Sequence, residues 1–483
     1  MLISDLLLSP SAVAETLRDP HAAAAVAISR ARAAGVRVWL STAAAAAYRA
    51  AAPSAASLAT LAAGCQWLNA LASDLDPSAE DPLAMQLARG TARLGPSARL
   101  LGRDPGALAP EALAEAELEP QPVAFIDLAA QQDRIRPELE RRIDAVLRHG
   151  HYIMGPEIAE LERRLADYVG MPHAITVASG TDSLEIAYRA LGLGAGDEIV
   201  TVPFTWISTA ETVCQVGARP VFCDIEADSF NLDPARLHSV LTPRTKAIVP
   251  VSLFGQPCRA EAIIEASHGL PVIEDAAQSF GSTRHGRRSC ALTRIASTSF
   301  FPAKPLGCYG DGGCLFTDDD ALAARMRAIR THGGEKRHHH PYVGMNGRLD
   351  TLQAAVLLAK LPHWQAEVEA RGRIGSRYSD GLRGTVGVPE VQTGNTHVYA
   401  QYTIRARDRD GLAARLKASC IPTAVYYPKC LHEQPVFAGS GQPGDFPVSE
   451  QASREVLSLP MHPDLTPAVQ DRIIAAVRHA VVP

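Results

Sequence analysis

Two residues in the stretch 271–317 could do chemistry together. Asp275 closes the apolar run PVIE, and Lys304 follows a second apolar run, SFFPA. Val272 and Ile273 have the character of a buried parallel strand, which places Asp275 at its carboxyl edge, where open α/β sheets bind their ligands. Residues 295–301 form the next expected strand and carry Lys304 back to the same edge. Gly307, Gly310, Gly312 and Gly313 then provide a flexible return. A lysine able to form a Schiff base and an acid able to hold a pyridinium nitrogen are what pyridoxal phosphate requires. Either residue alone has an ordinary explanation, as a solvated surface lysine or a helix-capping aspartate. The pairing favours chemistry.

The elements around this pair supply further candidates. In HAITVASGTDSLEIAYRALGL, residues 174–178 are strand-like and residues 183–191 helical, with Ser179, Gly180, Thr181 and Asp182 in the turn between them. Amides at a helix start, hydroxyls and a glycine make an anion cradle, although an ordinary capping turn uses the same letters. The strand expected at 199–202 leads into PFTWISTAE, where Trp206 could stack on a pyridine ring or fill a core. Gln278 lies three residues after Asp275, one helical turn on, and Ser299 lies five before Lys304. Both could touch the coenzyme, one at the ring and one at the phosphate. Strands at ARPVFCDI and KAIVPVSLFGQ, with helical stretches between successive strands, predict a parallel sheet covered on both faces.

The chain begins and ends differently. Residues 1–120 are Ala-rich and broken by AAPSAAS, DLDPSAEDP and a linker-like run ending at ELEPQP. Strand-like pieces at 36–41 and 98–102 suggest a small α/β unit. It faintly resembles a PIN-type nuclease domain, with Asp5, Asp81 and Asp104 as possible metal-holding acids. STAAAAAYRAA lacks the further acid that such domains usually carry, so a degenerate or docking module is the alternative. Two amphipathic helices open the second part, joined by a turn at residues 150–156. After the expected helix in DDDALAARMRAIRTHGG, the stretch from EKRHHH to LLAKL is expected as a loop, with a helix from about residue 361. Three adjacent histidines rarely converge on one ion, so no metal is expected, and this loop is read as closing over an anionic substrate. A small carboxy-terminal α+β domain completes the expected layout of 1–120, 121–365 and 366–483.

Composition sets limits on the function classes. The 483 residues are 47% hydrophobic and 20% charged with net charge −5, which leaves no basic footprint for nucleic acid or an anionic membrane. No apolar run reaches the ~18 residues of a membrane span, and the first residues lack a basic signal region. A cytoplasmic protein is expected. Nine scattered cysteines without a CxxC pair predict free thiols.

With these motifs in order, the chain from about residue 125 resembles the DegT/StrS sugar-nucleotide aminotransferases of pyridoxal phosphate fold type I. ASGTDSL, IEDAAQSFG, SFFPAKPLGCYGDGG and NGRLDTLQAA carry the likeness. Within that family it most resembles enzymes that aminate UDP-2-acetamido-2-deoxy-3-oxo-glucuronate. The resemblance implies a three-layer sandwich around a mostly parallel sheet, with glutamate as amino donor. It also implies that Lys304 holds the coenzyme covalently, Asp275 keeps the pyridinium proton and Gln278 contacts the ring. Gly180, Thr181 and Ser299 would hold the phosphate, and Trp206 would stack. Asn346 and Arg348 would cross to a partner's site in a homodimer, Asn346 to its phosphate and Arg348 to its substrate, with Tyr427 also at the substrate. Uronate-specific members commonly carry His-Tyr at Tyr426-Tyr427 and serine at Gly347.

Overall fold

The computed structural model describes residues 123–481 and, ahead of them, residues 5–8, 28, 37–41, 66–68 and 98–101. The chain divides into two compact units. One takes Met1–Ala124 with Ala414–Pro422 and Leu465–Val482, and the other takes Phe125–Ala413 with Thr423–Asp464.

In the first unit, β1 (Asp5–Leu8), β2 (Arg37–Ser41), β3 (Gln66–Leu68) and β4 (Ala98–Leu101) form a parallel sheet in the order β3-β2-β1-β4. The expected strands at 36–41 and 98–102 are two of these. Asp5 opens β1 opposite Ala98, at the amino end of both strands. Ligand sites of parallel sheets lie at the other end, about 10 Å away over a four-residue strand. Asp81 and Asp104, the other acids of the nuclease-like reading, lie outside the described residues.

The second unit begins with α1 (Leu128–His149) and α2 (Pro156–Val169), the two expected amphipathic helices. The alternation of β5 (His173–Val177), α3 (Gly180–Ala190), β6 (Glu198–Thr201), α4 (Ser208–Gln215) and β7 (Arg219–Phe222) follows. Next come β8 (Thr245–Ile248), α5 (Ala260–Ala266) and β9 (Ile273–Asp275). Then β10 (Ile295–Ser299), β11 (Gly313–Thr317) and α6 (Asp320–Arg330) bring the chain to the long helix α7 (Thr351–Leu382). Bridges at Ile248–Val272 and Val251–Asp275 join two sets of strands into one sheet, ordered β5-β11-β10-β9-β8-β6-β7. All its pairings are parallel except those of β11, which runs against β5 and β10.

Period-two alternation explains the layers. Ala174, Ala296 and Phe316 point to one face and pack with Leu139, Leu161, Leu165, Leu357 and Trp364 of α1, α2 and α7. Their neighbours Ile175, Ile295 and Leu315 point to the other face, against Leu184, Ala187, Met326 and Ile329 of α3 and α6. Both faces are thus covered, as the strands' continuous hydrophobicity requires.

Three expectations change. The link from β9 to β10 contains a small hairpin, Thr283–Arg284 with Arg287–Arg288, instead of a helix. Residues 300–312 form the Lys304 loop and return the chain antiparallel as β11. Residues 351–360, expected in a loop, start α7, which continues through Pro362. A proline inside a helix removes one amide donor. Here the buried Leu357, Leu358 and Trp364 on either side keep the helix in place.

After α7 come β12 (Tyr402–Arg405), α8 (Arg409–Ala418), α9 (Pro447–Glu455) and β13 (Val456–Leu459), with β12 and β13 paired antiparallel. The last helix is α10 (Pro467–Ala480).

Candidate active site

β9 ends on Asp275, which is only 5% exposed. Its Oδ2 accepts a hydrogen bond from Thr209 Oγ1 at 2.9 Å, and its Oδ1 accepts from the Ala277 amide at 3.2 Å. Burial pushes the carboxyl above its usual range. Thr209, the Ala277 amide and the charge of Lys304 work against that shift and favour the ionised form.

Lys304 sits in the loop that leaves β10. The loop is closed by Lys304 N–H donating to Phe301 O and Cys308 N–H donating to Phe300 O, each at 2.8 Å. Burial pulls the Lys304 amine below its ordinary value, and Asp275 partly offsets this. The acid and the half-buried lysine are therefore near enough to act on each other's charge. A lysine displaced toward neutrality is a better nucleophile and proton acceptor.

α3 starts at Gly180, three residues earlier than the sequence suggested, because Ser179 caps it. Ser179 Oγ accepts from the Asp182 amide at 3.0 Å. Gly180 packs against the end of β10, where an added Cβ would lie 2.8 Å from Ser299 Cβ. Only glycine allows that approach, and it brings Gly180 and Ser299 together at a helix start whose amides lack helical partners. Thr181 Oγ1 lies 2.9 Å from Ser208 Oγ, which donates to Glu211 Oε1 at 3.0 Å.

Gln278 is fixed at both ends of its amide. The Phe254 amide donates to its Oε1 at 2.8 Å, and its Nε2 donates to Tyr427 Oη at 3.2 Å. Tyr427 also lies 6.1 Å, ring to ring, from Trp206. Trp206 is 57% exposed, so it is no core tryptophan. Arg348 Nε donates to Asn346 Oδ1 at 2.9 Å, and Asn346 is exposed. Gly347 between them ties this loop to the end of β5: the Ala178 amide donates to Gly347 O at 2.9 Å.

Thr209 and Ser208 escaped the sequence reading. Their only signal is a hydroxyl pair directly after PFTWI, and their partners lie 66 and 27 residues away in the chain. Glu274 was also missed. It is fully buried on the opposite side of β9 from Asp275, and accepts from Ser252 Oγ and Ser289 Oγ, each at 2.8 Å.

This set fits pyridoxal phosphate. A helix start cleared by Gly180 suits the phosphate, a buried carboxylate with a lone pair still free on each oxygen suits the ring nitrogen, and a desolvated lysine suits the covalent link.

Known proteins agree. A model of the DegT/DnrJ/EryC1/StrS aminotransferase family matches residues 133–478. The chain is 51% identical over 358 residues to UDP-2-acetamido-2-deoxy-3-oxo-D-glucuronate aminotransferase of Pseudomonas aeruginosa, covering 74% of this chain and 99% of that protein. A crystal structure of a DegT DnrJ EryC1 StrS aminotransferase from Brucella abortus matches with a TM-score of 0.73 and 44% identity, over 74% of this chain and 99% of that one. The structure of ntda from Bacillus subtilis, with bound cofactor PMP, matches with a TM-score of 0.68 and 28% identity, over 74% of this chain and 83% of that one. The chain belongs to the DegT/DnrJ/EryC1/StrS aminotransferase family and is a pyridoxal-phosphate-dependent aminotransferase of fold type I.

Proposed function

We propose that this enzyme aminates a keto sugar nucleotide, UDP-2-acetamido-2-deoxy-3-oxo-glucuronate, with glutamate as donor, for the sugars of bacterial surface polysaccharides. The observation that carries the reading is the 51% identity to a protein named for that activity, across 99% of that protein's length. A homodimer in the cytoplasm belongs to the same proposal.

The bound coenzyme supplies an electrophilic carbon for amine exchange and a ring that accepts the electron pair left when a proton is removed. Asp275, held by Thr209 and the Ala277 amide, keeps the ring nitrogen protonated. Gln278, with Tyr427 behind it, orients the ring hydroxyl. Trp206 covers one ring face. Gly180, Thr181 and Ser299 bind the phosphate, completed by Asn346 from the neighbouring subunit. Arg348 presents a planar guanidinium to the uronate or glutamate carboxylate. Lys304 Nζ, once released from the coenzyme, takes the α-proton of glutamate, and in the second half-reaction delivers a proton to the former keto carbon of the sugar.

The test is an assay of purified enzyme with glutamate and a panel of keto sugar nucleotides. 2-Oxoglutarate is expected with the 3-oxo-uronate. Turnover of a 4-keto sugar nucleotide in its place would overturn the substrate and leave the reaction class standing.

A further inference from the structure

The first turn of α4 carries two hydroxyls, Ser208 and Thr209, that bond to residues at both ends of the candidate coenzyme site. Thr209, 1% exposed, donates to Asp275, and Ser208 bonds Thr181. A helical threonine ordinarily turns its hydroxyl back to the carbonyl four residues before it, as Thr212 does with Ser208 O at 2.7 Å. Thr209 points instead across the sheet: α4 follows β6, and β8 lies between β6 and the strand β9 that carries Asp275. Thr205 Oγ1 lies 3.3 Å from Thr209 Oγ1, so Thr209 can accept from it while donating to Asp275, which strengthens the second bond.

We propose that Ser208 and Thr209 are positioning residues for the coenzyme. In this assignment Thr209 keeps the Asp275 carboxylate ionised and aimed at the ring nitrogen. Ser208, its own proton given to Glu211, accepts from the Thr181 hydroxyl and so holds the first turn of α3 in place at the phosphate end. The inference rests on Asp275 facing the ring, as proposed above. The physical reason is lone-pair accounting. A carboxylate offers about four acceptor positions. Thr209 and the Ala277 amide take one on each oxygen, and this fixes the directions left for a ring N–H. A hydrogen bond to a charged group is stronger than one between neutral groups, so its loss should be felt in coenzyme affinity.

The titratable groups around Asp275 are Lys304, Glu274, Tyr188, Tyr427 and Cys290. Of these, only Lys304 favours the Asp275 carboxylate. Removing the Thr209 hydroxyl raises the pH at which Asp275 takes a proton, so the acid limb of coenzyme binding moves upward.

The experiment titrates pyridoxal phosphate into the coenzyme-stripped full-length enzyme, followed by tryptophan fluorescence between pH 5 and 8. The variants are Thr209→Val, Thr209→Ser, Ser208→Ala and Asp275→Asn. Thr209→Val should weaken binding roughly 10- to 100-fold and shift its acid limb up by about one pH unit. Thr209→Ser should restore both. Ser208→Ala should weaken binding and leave the acid limb in place. Wild-type binding by Thr209→Val beside impaired Asp275→Asn would overturn this inference alone, as would failure of Thr209→Ser to restore it or an acid-limb shift in Ser208→Ala. Unimpaired binding by Asp275→Asn would overturn the assignment on which it rests.

Discussion

Charge on Lys304 and on Asp275 is costly where the fold desolvates them, and each offsets part of that cost for the other. Burial favours the neutral lysine, and Thr209 and the Ala277 amide favour the ionised aspartate, the forms the proposed reaction needs. Gly180 gives a test at this scale. An alanine there would drive its methyl into Ser299, so Gly180→Ala should weaken pyridoxal phosphate retention at least about tenfold while the far-ultraviolet circular dichroism stays unchanged. Gly347→Ser should be tolerated, because the nearest atoms to an added Cβ are side-chain atoms of Ile186, Met345 and Asp182, at 3.3 to 3.5 Å. Its thermal midpoint should stay within a few degrees of wild type. The lysine and the acid were legible in the sequence because each follows a strand-like apolar run. Thr209 was not, because its role exists only once β6 and β9 are brought into one sheet. Trp206 remained ambiguous until its exposure separated a ring-covering residue from a core one.

At the scale of elements, Arg330 is the joint between the sheet and the loop that carries Asn346 and Arg348. It ends α6, is 4% exposed, and its Nη1 donates to Thr176 O at 2.8 Å and to Glu162. Glu162 on α2 also accepts from the Thr176 amide and hydroxyl, both at 3.0 Å. The Gly347 amide then donates to Arg330 O at 3.1 Å. Removing one partner of a buried ion pair leaves the other unpaired, so Arg330→Met should cost about 3 kcal/mol in urea unfolding. Replacing both, as Arg330→Met with Glu162→Leu, should cost less than that single change. Strands and helices were largely legible from periodicity. The antiparallel β11 was not, because a buried strand's hydrophobic run has no direction written in it. The start of α7 was missed because the histidine-rich loop was read on through LLAKL, whereas packing of Leu357 and Trp364 decides the outcome.

At the scale of the whole molecule, acid stability follows from histidines that the fold keeps neutral. Burial lowers His397 to about 3 and His462 to about 4 from 6.5. His397 Nδ1 accepts from the Tyr399 amide at 2.9 Å, a bond that a proton on that nitrogen would remove. Unfolded chains bind these protons near pH 6.5, so the stability is full above that pH and is lost as pH falls toward the folded values. The loss approaches about 1.4 kcal/mol per pH unit for each histidine. Arginine-paired carboxylates such as Glu198, held at about 2, join only below 4.5. Urea midpoints should therefore fall between pH 6.5 and 4.5, and His397→Asn should flatten that fall. The family likeness covers residues 133–478 and was legible from motif order. In the leading unit β2 and β4 were legible as strand-like pieces, and β1 and β3, four and three residues long, were not.

The proposed chemistry requires Lys304 to hold the coenzyme covalently. Borohydride reduction of the enzyme loaded with pyridoxal phosphate, followed by peptide mass spectrometry, tests it most directly. A phosphopyridoxyl group on the peptide containing Lys304, absent in Lys304→Ala, is the predicted result. The group on another lysine, or its persistence at the same yield in Lys304→Ala, would show that Lys304 does not hold the coenzyme.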